Sequence, residues 1–186
     1  MVLERSLEQT ERVPEQSAAD LFERHKDRIY SIALRYSGDP AAAQDITQET
    51  FLKLFASVGS FRGDSTFESW LFRLVVNACF DYRRKSRRLA PFVESVRNLL
   101  HAPGASALDH VLRDEMSVHL KTAIDSLPPE QRMAVVLRYT EGFSYDQIAE
   151  AMGCSAGTVA SRLSRAHKIL ERRLCRLAGK GCNERG

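Results

Sequence analysis

The chain has 186 residues, 44% of them hydrophobic, with only 10 Gly and 6 Pro and a formal net charge of +3. It contains no run of about 18 apolar residues, which argues against a membrane-spanning helix. Its charged opening from Met1 to Gln16 lacks the apolar stretch of a secretory signal, so the protein is expected in the cytoplasm without membrane insertion.

The length allows one or two domains. Sparse Gly and Pro, with apolar residues at helical spacing, predict an all-α protein. Cys79, Cys154, Cys175 and Cys182 form no CxxC pair and read as isolated reduced thiols. His167 with Cys175 and Cys182 is the one grouping worth naming, and its spacing matches no zinc signature, so no metal or cofactor is expected.

In chain order, residues 1–16 read as a disordered lead-in. Ser17 with Asp20 signals a helix start, and Phe22, Ile29, Ile32, Ala33 and Tyr36 repeat at helical spacing until Ser37-Gly38. Asp39-Pro40 opens a second helix as N-cap and first-turn proline, with Ala43, Ile46, Thr50, Leu54 and Val58 on its inner face. A loop follows from Gly59 to Asp64. Ser65 with Glu68 reads as a capping box for a third helix, whose buried stripe is Phe67, Leu71, Leu74, Val75, Ala78 and Tyr82. The opposite side carries Trp70, Arg73, Asn77 and Arg84, and the helix is expected to end near Ser86 in a basic cluster of Arg83, Arg84, Lys85, Arg87 and Arg88.

Pro91, Pro103 and Gly104 mark residues 89–106 as a flexible linker, with room for a short helix over 92–100. Leu108, Val111, Leu112, Met116, Leu120 and Ile124 predict a helix to about Ser126. Pro128-Pro129-Glu130 restarts the chain, Met133, Val136 and Leu137 continue it, and Gly142 breaks it.

Ser144 with Gln147 forms a capping box for a short helix bearing Ile148, Ala149 and Met152 inward, and Gly153 stops it. After Cys154-Ser155, a longer helix places Val159, Leu163, Ala166, Leu170 and Leu174 on one face. Short helix, glycine turn and long basic helix make the layout of a helix-turn-helix, whose second helix enters the major groove. With Val159 inward, Ser161, Ser164, Arg165 and Lys168 point outward. Arg bonds guanine in bidentate fashion, Ser reaches bases or phosphates, and Lys168 and Arg172 suit phosphates. From pattern alone, a solvated basic face on two packed helices stays open beside DNA binding.

Both halves resemble the extracytoplasmic-function (ECF) group of sigma-70 RNA polymerase sigma factors. The N-terminal residues that carry the likeness are Asp45-Ile46-Thr47-Gln48-Glu49-Thr50-Phe51-Leu52, the run Phe61 to Phe67, and Trp70 to Asn77. The C-terminal ones are Leu127 to Arg132, Ala149 to Gly153, and Gly157 to Ala166. The similarity runs from about Ala18 to Leu174. It implies sigma region 2 over 17–88, the linker 89–106, and sigma region 4 over 107–178.

The resemblance also implies roles. Asp45, Gln48 and Glu49 would dock on the clamp of the largest subunit of core RNA polymerase. Phe61 and Arg62 in the loop, with Trp70, Arg73, Asn77 and Arg84 on the helix, would hold the minus-ten element. Thr158, Ser161, Arg162, Ser164, Arg165 and Lys168 would meet the minus-thirty-five element. At Ala160, where many relatives carry a basic or polar residue, a methyl cannot hold a phosphate. An anti-sigma partner is implied as well. No Gly-rich phosphate loop, HExxH or GxSxG occurs, so no catalytic residue is expected. The alternative is a stand-alone dimeric helix-turn-helix regulator.

Overall fold

The computed structural model describes residues 18–61, 63–100 and 115–177. The described residues are all-α: seven helices and one 3-10 turn, with no strand among them. The expectations for residues 1–16, Ser17, Arg62, Leu108, Val111, Leu112 and Cys182 fall outside the described residues.

The N-terminal lobe packs α1 (Ala18–Ser37), α2 (Pro40–Ser57) and α3 (Phe67–Leu100) against one another. Gly38 takes a left-handed φ of 75°, and Asp39 caps α2 by accepting from the Ala42 N–H at 3.1 Å. Ile29, Ile32, Ala33 and Tyr36 from α1 meet Ala43, Ile46, Phe51 and Leu54 from α2. Leu71, Phe72, Val75, Val76, Ala78 and Cys79 from α3 complete this core. Thr50 is buried without penalty because its hydroxyl donates to the Ile46 carbonyl at 2.8 Å.

Three local expectations are corrected. Leu21, not Phe22, enters the core of α1, leaving Phe22 exposed. Thr66, not Ser65, caps α3: its hydroxyl accepts from the Ser69 N–H at 3.1 Å and its carbonyl from the Trp70 N–H at 3.0 Å. Glu68 then completes no capping box and turns to Arg28 instead. Last, α3 does not end near Ser86 but runs on to Leu100. Pro91 removes one backbone donor, but its neighbours Arg87, Arg88, Leu89, Ala90 and Glu94 are good helix formers.

The C-terminal lobe holds α4 (Glu115–Asp125), α5 (Pro129–Thr140), α6 (Tyr145–Met152) and α7 (Ala156–Leu177). Its core is Ala123, Leu127, Met133, Ala134, Val136, Leu137, Ile148, Ala151, Val159, Leu163 and Ala166. Leu120, expected inward, is exposed on α4, and Ala123 takes the inner position one turn on.

The two lobes are packed together, α6 on α3 and α5 on α1. Phe72 and Phe143 meet edge to face across this seam, ring centroids 4.7 Å apart and planes at 82°. Arg28 stacks on Phe72 and bonds both Glu141, at 2.6 Å, and Glu68. Ser69 donates to Glu150 at 2.8 Å. Arg132, only 4% exposed, donates to the Tyr36 carbonyl at 2.8 Å, to the Asp125 carbonyl, and pairs with the Asp125 carboxylate at 3.2 Å. Burial pushes the Arg132 pKa down, and Asp125 acts in the opposite direction.

Candidate nucleic-acid interface

Three surfaces hold the residues singled out in the sequence. The first lies on α2. Asp45 and Gln48 are exposed, and Glu49 is half-buried and paired with Lys53 at 3.2 Å. Lys53 also bonds Asp81 on α3 at 3.1 Å, and although its partial burial acts to lower its pKa, these two carboxylates raise it on balance. Glu49 is therefore held to its own lobe, while Asp45 and Gln48 face outward.

Beside these residues lies an apolar groove of about 420 Å³ that the sequence reading missed, walled by Phe22, Tyr30, Phe51, Leu52 and Phe55. Phe22 and Phe51 pack at a tilt, with ring centroids 4.7 Å apart and planes at 53°, and Leu52, at 61% exposure, stands at the rim. The available signal was the pair Leu52 and Phe55, apolar residues lying off the inner stripe of α2. Large apolar side chains grouped on an open surface mark a contact site.

The second surface is the start of α3. Phe61, Phe67 and Trp70 form an aromatic cluster, with Phe61 5.3 Å from Trp70 and Phe67 5.7 Å from it, centroid to centroid. All three are half-buried, so Trp70 is neither a core residue nor fully free. Arg73 and Asn77 follow on the exposed side, with no hydrogen bond among the described residues. Arg84 is exposed two turns further and is held by Asp81 at 2.6 Å. The helical repeat places Trp70, Arg73, Asn77 and Arg84 along one edge.

The third surface is α6 and α7. Ser144 and Gln147 form the capping box as expected: the Gln147 N–H donates to the Ser144 hydroxyl at 3.2 Å, and the Ser144 N–H donates to the Gln147 side chain at 2.9 Å. Gly153 closes α6 at φ 63°, and the Cys154 N–H reaches back to the Ala149 carbonyl at 2.9 Å. Ser155 caps α7 by accepting from the Thr158 N–H at 3.2 Å.

The predicted reading residues divide into two groups. Thr158 bonds the Ser155 hydroxyl at 2.9 Å, Ser161 donates to the Thr158 carbonyl at 2.9 Å, and Arg162 folds back onto the Cys154 sulfur at 3.3 Å. These three are half-buried and fix the start of α7. Ser164, Arg165 and Lys168 are exposed, with no hydrogen bond or ion pair among the described residues. His167, grouped in the sequence with Cys175 and Cys182, bonds the Tyr139 hydroxyl at 2.7 Å instead. Among the described residues, no cluster of His, Cys, Asp or Glu could hold a metal.

Comparison with known proteins places both lobes. The Sigma-70 region 2 model matches residues 21–89, and a Sigma-70 region 4 model matches residues 118–170. The chain is 40% identical over 154 residues to the ECF RNA polymerase sigma factor SigE of Mycolicibacterium smegmatis, covering 81% of this chain and 59% of that protein. It is 33% identical over 159 residues to the RNA polymerase sigma-H factor of Pseudomonas aeruginosa, covering 81% of this chain and 82% of the relative. With the ECF RNA polymerase sigma-E factor of Escherichia coli it shares 34% over 164 residues, covering 83% and 84% respectively. Among solved structures, the sigma factor RpoE of Bartonella quintana, in complex with the anti-sigma factor NepR, superposes with a TM-score of 0.63 at 25% identity. That match covers 84% of this chain and 95% of that one. CnrH, solved with the cytosolic domain of CnrY, shares the fold at a TM-score of 0.59 and 24% identity, covering 84% of this chain and 86% of its own.

Proposed function

The chain belongs to the ECF group of the sigma-70 family, and from that premise we propose how its surfaces share the work of promoter recognition. A sigma factor binds core RNA polymerase, directs it to particular promoters and promotes their opening. The polymerase supplies the chemistry, and this chain contributes none. Its place of work is the cytoplasm, and among the described residues no helix is long and apolar enough to cross a membrane.

In this reading residues 17–88 and 107–178 act as two modules joined through 89–106. Asp45 and Gln48, with the apolar groove at Leu52 and Phe55, dock on the polymerase clamp. Burial of the apolar residues supplies affinity, and the polar pair sets orientation and on-rate. Glu49 acts through Lys53, positioning α2 against α3.

Phe61, Trp70, Arg73 and Asn77 hold the opened minus-ten strand, with Arg62 and Arg84 on its phosphates. Stacking on an aromatic side chain contributes about 1–3 kcal/mol per base, comparable to the few kcal/mol needed to unstack one. Ser164, Arg165 and Lys168 read the minus-thirty-five duplex, while Thr158, Ser161 and Arg162 set the pose of α7. An anti-sigma partner is part of the proposal, because the RpoE relative was solved with one. Nothing among the matched relatives favours a stand-alone dimeric regulator.

One observation carries this reading: a single chain holds both family regions, each on a lobe that leaves a polar and basic helical edge exposed. Its test is co-elution with purified core polymerase on size exclusion. The wild-type chain should shift into the polymerase peak, and Leu52→Asp should weaken that association by about tenfold, the worth of roughly 1.4 kcal/mol. A chain that never co-elutes with core would sink the reading.

A further inference from the structure

The seam between the lobes contains a second cavity, of about 450 Å³, which shares no lining residue with the groove on α2. That volume lies in the range of roughly 300–1,000 Å³ usual for small-molecule sites. One wall is α3, which contributes four arginines: Arg83, Arg84, Arg87 and Arg88. Tyr36 and Phe80 add an aromatic wall, their rings edge to face with centroids 6.0 Å apart. The far wall is the N-terminus of α5, at Pro129 and Glu130.

The charges in this cavity are unbalanced. Among the described residues, Arg84 is the one arginine of the four with a carboxylate partner, Asp81. The Glu130 carboxylate is the one acidic group in the lining. Among the described residues, the Arg83 Nε and the Tyr36 hydroxyl are buried in the wall with no hydrogen-bond partner, and so is the Nε of neighbouring Arg132. Pro128 gives α5 no side-chain cap, and the acidic Glu130 stands in its first turn.

We propose that this cavity binds a small oligophosphate anion, and that the bound anion holds the two lobes together. The spacing favours linked phosphates over a single one. Arg83 and Arg87, like Arg84 and Arg88, lie one turn apart, about 6 Å along the helix axis. A lone phosphate reaches one such tier, whereas a chain of phosphates spans both. The guanidinium fork matches phosphate oxygens in bidentate geometry. The walls come from α1 and α3 on one lobe and α5 on the other, so the site is complete only while the lobes are in contact. A ligand that requires that contact stabilises it by linkage. The site needs no polymerase, so its failure would leave the promoter reading untouched.

The probe is sodium tripolyphosphate, titrated calorimetrically into the full chain at fixed ionic strength. ATP and GTP form a second arm, and a short DNA duplex a third. The expected result is one saturable site per chain, with a rise in Tm that sodium chloride at equal ionic strength does not reproduce. The double variant Arg87→Gln/Arg88→Gln, at exposed positions that leave the core intact, should weaken binding at least tenfold. Arg173→Gln/Arg176→Gln, on α7 and outside the cavity lining, should leave it unchanged. Tighter binding of ATP or GTP than of tripolyphosphate would identify a nucleotide as the source, and equal binding the phosphate chain alone. Absence of saturable binding, equal weakening by both variants, or binding of the DNA duplex alone would overturn the proposal.

Discussion

Arg28 of α1 reaches across the seam and donates its Nε to the Glu141 carboxylate at 2.6 Å. Glu141 is 9% exposed at its side chain, and Arg28 also stacks on Phe72 and bonds Glu68. Burial alone would lower the Arg28 pKa, but its hydrogen bonds to Glu141 and then Glu68 raise it on balance. This residue joins the two lobes by charge, stacking and geometry together.

Arg28→Ala should therefore cost about 1.5–3 kcal/mol, the range for hydrogen bonds to charged groups, because it leaves the Glu141 carboxylate without its partner. Urea denaturation measures the loss. A double-mutant cycle with Glu141→Gln should return a coupling of at least about 0.5 kcal/mol. Additive effects would mean that the pair does not join the lobes.

The turn between α6 and α7 depends on Gly153, at φ 63° with open space for 4 Å around the point a Cβ would occupy. Space is not the constraint, so Gly153→Ala should cost only the left-handed backbone penalty, about 1–2 kcal/mol. Gly153→Asn should cost less, since Asn tolerates that region. Thermal unfolding of the two variants checks the order, and an Ala variant as stable as wild type would contradict it.

His25 packs beside Phe67, ring centroids 6.0 Å apart. Burial, then Arg24 and Arg28, hold its pKa below the ordinary 6.5, against a smaller pull from Glu68. The unfolded chain then takes up this proton more readily than the folded one, so stability rises with pH across that window. Unfolding free energy should fall as pH drops from about 6.5 through the lower folded value, and His25→Gln should flatten the slope. An unchanged slope in the variant would assign the pH dependence to other groups.

Arg165 and Arg162 lie three residues apart on α7 but differ in contact. Arg165 is exposed, and Arg162 folds onto Cys154. Arg165→Ala should relax preference at one upstream base pair by about 1–3 kcal/mol. Arg162→Ala should instead lower Tm and weaken all duplexes alike. Binding to a panel of single-base promoter variants distinguishes them, and a uniform loss for Arg165→Ala would make it a phosphate clamp.

What the sequence made legible was local. The capping box at Ser144, the stop at Gly153 and the Asp39 cap follow from chemistry within a few residues, and each occurs where expected. The start of α3 differs by one residue because Ser65 and Thr66 are both capping residues, and helix register decides between them. Phe22 and Leu21 exchange roles for a similar reason: both are apolar, and helix register turns Leu21 inward while Phe22 lies against Phe51 at the groove. The seam was not legible at all. Phe143 and Arg28 belong to no motif or apolar stripe, and Arg132 only closes the run that begins at Leu127; the docking of α5 and α6 brings them to Phe72, Glu68 and Tyr36. The groove at Leu52 and Phe55 is written in the sequence as apolar residues off the inner stripe, a signal that helical projection alone does not tie to a surface.

Transcription by purified core polymerase on fragmented genomic DNA decides whether this chain directs initiation. With the chain added, discrete transcripts should appear whose start sites share two upstream elements at fixed spacing, and core alone should give none of them. Transcripts that are the same with and without the chain would contradict the account.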